Sequence, residues 1–154
     1  MTDFQRDLLF LLHDVARLLR VEADKRARAR GMTRAQWAIL IWLERLPGIT
    51  QKELSELLEV EPISIARLID RLEASGMVER RPDPRDRRIW RLHLRSAAYG
   101  ELEEISRQRA EINGILTATL DPAMVETTIQ ALVEMKAILT ARRAEPDPDT
   151  EEAA

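Results

Sequence analysis

The 154-residue sequence contains no cysteine, and its histidines are His13 and His93 alone. The absence of cysteine excludes disulfides, thiolate zinc sites and thiol-based redox sensing. Two histidines without partners at ligand spacing do not predict a metal site. No apolar run approaches the ~20 residues that a membrane span needs, and charged residues interrupt the start of the chain, unlike a signal peptide. We therefore expect a cytoplasmic protein with no metal and no cofactor.

Signatures of catalysis are missing as well. There is no glycine-rich phosphate loop and no recognisable set of nucleophile, base and orienting residue. Hydrophobic residues make up 45% of the chain, which is ordinary for a globular protein with a core of its own. These observations predict a non-enzymatic protein folded as one intertwined domain.

Charge is distributed unevenly along the chain. The net charge is -3, but the segment from Pro62 to Arg95 holds nine arginines against five acidic residues and is therefore +4, which leaves -7 elsewhere. A phosphate-binding surface needs local positive potential rather than a basic protein. The arginine-rich segment is therefore a candidate nucleic-acid interface.

The first third of the chain reads as three helices. Apolar residues at helical spacing from Phe4 to Leu19 predict a long amphipathic first helix, and Thr33 is expected to cap a second helix that includes Trp37 and Trp42. The segment 50–53, Thr-Gln-Lys-Glu, is a capping box. It predicts a short third helix that buries three leucines, Leu54, Leu57 and Leu58.

A fourth helix, a hairpin and two long helices are expected to follow. Pro62 suits the first turn of a helix that runs to about Ser75, and alternation predicts strands at 77–81 and 88–94 around a charged turn. Helical spacing then resumes after Ser96 and breaks near Asp121. The fold class is therefore mainly α with a small β-hairpin: a winged helix-turn-helix with long flanking helices.

The fourth helix carries two different stripes. Ile65, Ile69 and Leu72 form an apolar stripe, and Ser64, Arg67 and Arg71 lie on another face. A recognition helix reads bases near its start, so Pro62, Ser64, Arg67 and Arg71 are the predicted DNA contacts, with Ser64 and Arg67 at the base edges. In an isolated helix, pairing of Arg67 and Arg71 with Asp70 or nearby acids would be the better interpretation. The adjoining helix and hairpin favour DNA.

The hairpin turn carries the remaining candidates, Arg85, Asp86, Arg87 and Arg88. A wing beside a recognition helix is placed to enter a minor groove, whose negative potential attracts arginine. We interpret Asp86 as a residue that positions an arginine side chain. Its alternative role, formation of the turn itself, is compatible with the first.

Residues 31–94 resemble the multiple-antibiotic-resistance regulator (MarR) family. The resemblance rests on the segments 51–54 (Gln-Lys-Glu-Leu), 67–73, 76–78 and, most specifically, 83–88 (Asp-Pro-Arg-Asp-Arg-Arg), and the flanking helices extend it over residues 4–143. It implies a homodimer built from residues 1–30 and 96–143 and a DNA-binding region over 31–95. By position, it implies base contacts at Ser64 and Arg67 and a minor-groove Arg88 braced by Asp86. The acidic segment at 144–154 cannot bury enough apolar surface to order itself, so its composition predicts a disordered tail.

The resemblance also implies control by a small ligand, because the family often binds aromatic or phenolic anions. His13, Arg17, Trp37 and Trp42 are the candidate pocket residues. The alternative is that Trp37 belongs to the core and His13 to an interface.

The expected function is that of a sequence-specific transcriptional regulator, most often a repressor, that binds a pseudo-palindromic operator in double-stranded DNA. Long helices with surplus apolar faces favour a dimer. The competing function is a winged-helix module that binds another protein without reading DNA.

Overall fold

The computed structural model describes residues 4–144, and within them it contains six α-helices and one two-stranded antiparallel sheet. After a 3-10 turn at Phe4–Arg6, the elements are α1 (Leu8–Ala29), α2 (Arg34–Arg45), α3 (Gln51–Leu58), α4 (Pro62–Ala74), β1 (Val78–Pro82), β2 (Trp90–Leu94), α5 (Ala97–Thr117) and α6 (Pro122–Ala144). The predicted fold class is confirmed. The predicted acidic tail, beyond residue 144, lies outside the described residues.

Local chemistry explains where the helices begin. Thr33 and Thr50 each form a complete capping box, in which the threonine hydroxyl accepts from the backbone N–H three residues later. Pro62 occupies the first turn of α4, where its missing N–H costs nothing. The capping box predicted at Thr50 is thus confirmed.

Three expectations at the level of single residues were wrong. The first helix begins at Leu8, because Asp7 is extended and its carboxylate accepts from the Phe10 N–H at 2.7 Å. The second strand begins at Trp90, because the turn before it extends to Ile89, whose N–H donates to the Asp86 carbonyl oxygen at 3.0 Å. Leu57 is exposed, since it lies about 60° around α3 from Leu54, on the side away from the other buried residue of the helix, Ser55.

The chain divides into two compact units, Met1–Gln108 and Arg109–Ala154. The core of the first unit joins α2, α3, α4, the sheet and the start of α5. Its largest fully buried side chains are Ile39, Leu40, Leu43, Leu54, Ile65, Ile69, Leu72, Val78, Leu92 and Ile105. In the second unit, no side chain of residues 109–143 is buried.

The hairpin is tied directly to the loop between α2 and α3. In the sheet, Val78 pairs with Leu94 and Pro82 with Trp90. Leu92 of β2 also forms two backbone hydrogen bonds to this loop. Its carbonyl oxygen accepts from the Gly48 N–H at 2.9 Å, and its N–H donates to the Ile49 carbonyl oxygen at 3.0 Å. Hydrogen bonds of this kind fix the direction in which the hairpin projects from the helices.

A buried carboxylate joins three helices of the first unit. Glu101 of α5 is only 8% exposed, and its Oε1 accepts from Trp37 Nε1 of α2 at 3.1 Å. Its Oε2 accepts from Nη2 of Arg30, just after α1, at 2.9 Å. The hydrogen bond to Glu101 is also the main reason that the pKa of Arg30 is raised. Polar groups buried in this way stabilise only when all are paired, and here they are.

Among the described residues, no helix is long and apolar enough to cross a membrane.

Candidate nucleic-acid interface

The structure separates the two predicted stripes of α4. Ile65, Ile69 and Leu72 are buried against the other helices, whereas Ser64, Arg67 and Arg71 are exposed. Pro62 is also exposed, at the first position of the helix. The predicted contact residues of this helix therefore lie on its solvent side.

The acidic residues of α4 have partners other than Arg67 and Arg71. Asp70 Oδ1 accepts from Nη2 of Arg80 at 2.7 Å, and the carboxylate of Glu73 accepts from both the side chain and the backbone N–H of Arg80. Within residues 4–144, the guanidinium groups of Arg67 and Arg71 make no hydrogen bond or ion pair. The structure therefore does not show the alternative considered from the sequence, in which Arg67 and Arg71 pair with Asp70 or nearby acids on the solvent-exposed face of the helix.

The wing turn is organised around Asp83, which sequence analysis did not select. Asp83 is 7% exposed, and its carboxylate accepts from the backbone N–H of Arg85 at 2.7 Å, from that of Asp86 at 3.1 Å, and from Nε of Arg91. The backbone hydrogen bond from Arg85, followed by the Arg91 side chain, lowers the pKa of Asp83. Its place before a proline in a turn was a signal, but its burial was not visible in the sequence.

Arg91 extends this arrangement to the helices, because its Nη1 donates to the Gly48 carbonyl oxygen at 2.8 Å. The arginine thus links the wing turn to the loop between α2 and α3. Asp83 and Arg91 together hold the wing tip against the helix-turn-helix.

Asp86 takes the turn-forming role. Its Oδ1 accepts from the backbone N–H of Arg88 at 2.9 Å. The brace between Asp86 and an arginine side chain stays a prediction. Arg85, Arg87 and Arg88 are exposed, and their guanidinium groups have no hydrogen-bond or ion-pair partner in the part of the chain that the structure describes.

A groove brings the start of α4 and the end of the wing turn together. It has a volume of about 610 Å³ and is lined by the start of α3, the start of α4 and the end of the wing turn, namely by Thr50, Gln51, Lys52, Pro62, Arg88, Ile89 and Trp90. Pro62 and Arg88, predicted separately from helix and wing, therefore border the same surface. Lys52 adds a cation that sequence analysis did not include in the site.

The four residues predicted to line a small-ligand pocket do not border a common groove or cavity. His13 and Arg17 are exposed on α1, where Arg17 pairs with Asp14 at 2.7 Å. Trp37 is 5% exposed and Trp42 is half-buried, and both pack in the core. A cavity of about 200 Å³ lies elsewhere, lined by Leu43, Glu44, Pro47, Arg81, His93, Leu94 and Tyr99. None of the four candidates lines either this cavity or the groove.

Metal-binding geometry is absent from the described part of the chain: no three or more His, Asp or Glu side chains there group closely enough to hold an ion. In the smaller cavity, burial lowers the pKa of His93, and the nearby Arg81 adds to this effect.

Known proteins share both the sequence and this architecture. A model of the MarR family matches residues 30–89. The helix-turn-helix-type transcriptional regulator YwoH of Bacillus subtilis (strain 168) is 33% identical over 106 residues, which cover 69% of this chain and 77% of that protein. The chain belongs to the MarR family. The resemblance noted in residues 31–94 is thus confirmed.

Solved structures of MarR-family members extend the similarity beyond the winged helix-turn-helix. The apo form of MarR from E. coli is 26% identical, with a TM-score of 0.76 over 84% of this chain and 96% of that one. The transcriptional regulator SlyA is 25% identical, with a TM-score of 0.74 over 88% of this chain and 96% of that one. As a MarR-family member, the protein is a DNA-binding transcriptional regulator and not an enzyme.

Proposed function

We propose that the protein is a repressor that binds a pseudo-palindromic operator as a homodimer in the cytoplasm, with α4 in the major groove and the wing in the minor groove. The observation that carries the proposal is that some arginines of this region have acidic partners and others do not. Arg80 and Arg91 are held by Asp70, Glu73 and Asp83. The remaining arginines of α4 and the wing turn, Arg67, Arg71, Arg85, Arg87 and Arg88, have no such partner among the described residues.

Unpaired arginines on a helix and an adjacent wing suit a polyanion. Phosphates and the guanine edge both accept from guanidinium groups, and narrow minor grooves attract arginine. A protein-binding module, the competing function, would need an acidic partner to balance this surface. The paired arginines serve the fold instead, since they hold the wing beside α4.

The homodimer is supported by α1. Leu8, Leu11, Val15 and Leu18 recur at intervals of three and four residues, yet each is at least 41% exposed. Such a stripe is stabilised when a second copy covers it. Two copies related by a twofold axis would place their recognition helices ~34 Å apart, one turn of DNA. We assign dimerisation to residues 1–30 and 96–143 and DNA binding to 31–95.

Release by a small aromatic or phenolic effector belongs to the same proposal. An effector that prefers a dimer whose recognition helices are wrongly spaced would weaken operator binding without contacting DNA. His13, Arg17, Trp37 and Trp42 stay the proposed contacts. Duplexes selected from random sequence, with and without candidate aromatic acids, test this: a palindromic consensus that one acid abolishes is the expected result, and a consensus indifferent to all of them removes the effector.

DNA binding is tested by the salt dependence of the Kd for the selected consensus. Log affinity should fall linearly with log salt, by about 0.9 per phosphate contact. Arg67→Ala should weaken binding roughly 5- to 150-fold per half-site, since a bidentate base contact is worth ~1–3 kcal/mol. Arg88→Ala should weaken binding as well, because the minor groove loses an arginine.

The matched control is Arg20→Ala, which removes the same charge from an exposed arginine on the side of α1 opposite Leu11 and Leu18 and should leave the Kd within about twofold of wild type. Absent or salt-insensitive DNA binding would contradict the proposal and favour a protein partner.

A further inference from the structure

The proposed recognition helix, α4, exposes an apolar side chain that does not pack in the hydrophobic core. Ile63, the second residue of α4, is 71% exposed, the largest fraction among the large apolar side chains that the structure describes. The buried side of the helix is supplied by Ile65, Ile69 and Leu72. Ile63 therefore contributes little to folding.

Ile63 lies in the middle of the face that carries the predicted DNA contacts. Successive residues of an α-helix are ~100° apart, so Ile63 is about 40° from Arg67 around the axis and one turn closer to the start of the helix. Ser64, selected from the sequence for base readout, is about 60° from Arg67 on the opposite side. By this geometry, Ile63 is at least as well directed toward a ligand of this face as Ser64.

The surroundings of Ile63 indicate what covers it. The unpaired guanidinium groups of Arg67 and Arg71 follow on the same helix, and Arg88 and Lys52 border the groove at the start of α4. These cations favour a polyanion on this face. The apolar group that duplex DNA offers in its major groove is the C5-methyl group of thymine.

We propose that Ile63 determines specificity by contacting the C5-methyl group of a thymine in each half-site of the operator. This inference rests on the proposed role of α4 as the recognition helix. The thymine lies beside the base that Arg67 reads, on the side toward the start of the helix. Arg67 supplies a hydrogen-bonded contact and Ile63 an apolar one, so that together they read neighbouring bases.

The test replaces thymine by uracil, which lacks only the methyl group, at each symmetric pair of positions in the selected consensus. Loss of one buried methyl contact should weaken wild-type binding about fourfold per half-site, hence about 16-fold for the pair. Ile63→Ala should bind the thymine and uracil duplexes equally well. Uracil at the other thymines, and circular dichroism of the variant, serve as controls.

Two results overturn the inference while DNA binding stands: a consensus without thymine beside the Arg67 base, or a uracil penalty that persists undiminished in Ile63→Ala. A wild-type protein that binds no duplex overturns the proposed function itself. The outcomes are therefore distinguishable, and the variant should fold because Ile63 lies outside the core.

Discussion

At the scale of single residues, the distribution of partners decides what each arginine does. The charge of +4 between Pro62 and Arg95 is visible in the sequence, but the identity of the unpaired arginines is not. Arg80 reaches Asp70 and Glu73 across the join between α4 and β1, a contact that only the folded chain creates. The arginines that we propose to contact DNA are thus those to which the fold brings no acidic partner among the described residues.

Glu101 should be the most sensitive acidic residue of α5. Glu101→Ala leaves the buried N–H of Trp37 without an acceptor and removes the partner of Arg30, so it should lower the free energy of unfolding by about 2–3 kcal/mol. Urea denaturation measures the loss. Glu103→Ala, at an exposed position of the same helix, should change stability by less than about 0.5 kcal/mol. Equal stability of the two variants would show that Glu101 is not a structural link.

The sequence did not single out Glu101. It stands among other glutamates, Glu103 and Glu104, and charged residues on a helix are exposed in most proteins. Its burial depends on α1 and α2 arriving beside α5, which no local pattern encodes. Ile65, Ile69 and Leu72, by contrast, were predicted to be buried because their spacing alone defines one face of α4.

At the scale of elements, the strands and the turn of the wing were predictable from the sequence, whereas the residue that holds the turn in place was not. Alternation identified both strands, and prolines and aspartates identified the turn between them. The sequence directed attention to Asp86, which is exposed, whereas the structure buries Asp83 and gives it the side chain of Arg91. The two aspartates are three positions apart in one turn, and only the folded hairpin shows which of them faces inward.

Asp83→Asn should destabilise the wing in a pH-dependent way. The pKa of Asp83 is lowered in the folded protein, first by the Arg85 backbone N–H and then by Arg91. Its stabilising effect is therefore present above the ordinary aspartate pKa of about 4 and disappears as the pH falls through the lower folded value. The Tm of Asp83→Asn should lie several degrees below wild type at pH 7, and the gap should close in acid.

Asp86→Asn is the matched control, because it removes the same charge from the exposed side of the turn while an amide oxygen still accepts from Arg88. Calorimetry across pH gives the comparison. A gap in Tm of constant size at every pH would show that the carboxylate charge of Asp83 is not what matters.

At the scale of the whole molecule, the chain exposes more apolar surface than a small winged helix-turn-helix needs to cover its own core. The first unit buries residues of α2 to α5, but along α1 it buries only Ala27 among the described residues. Periodicity predicted α1 and the two terminal helices correctly as long helices. It could not predict the division at Gln108, because that depends on contacts between distant segments and not on spacing along any helix.

The exposed stripe of α1 leads to a test of assembly. Leu11→Lys combined with Leu18→Lys places two charges in the stripe without disturbing the monomer core, since both leucines are exposed in the single chain. We expect wild type to sediment as a dimer and the double variant as a monomer, with unchanged circular dichroism. Operator affinity should fall by ~100-fold or more, because the two half-sites are no longer bound together. Arg20→Glu, at an exposed position on the opposite side of the same helix, should remain dimeric. A double variant that stays dimeric would exclude the α1 stripe from the interface and leave dimerisation to residues 96–143.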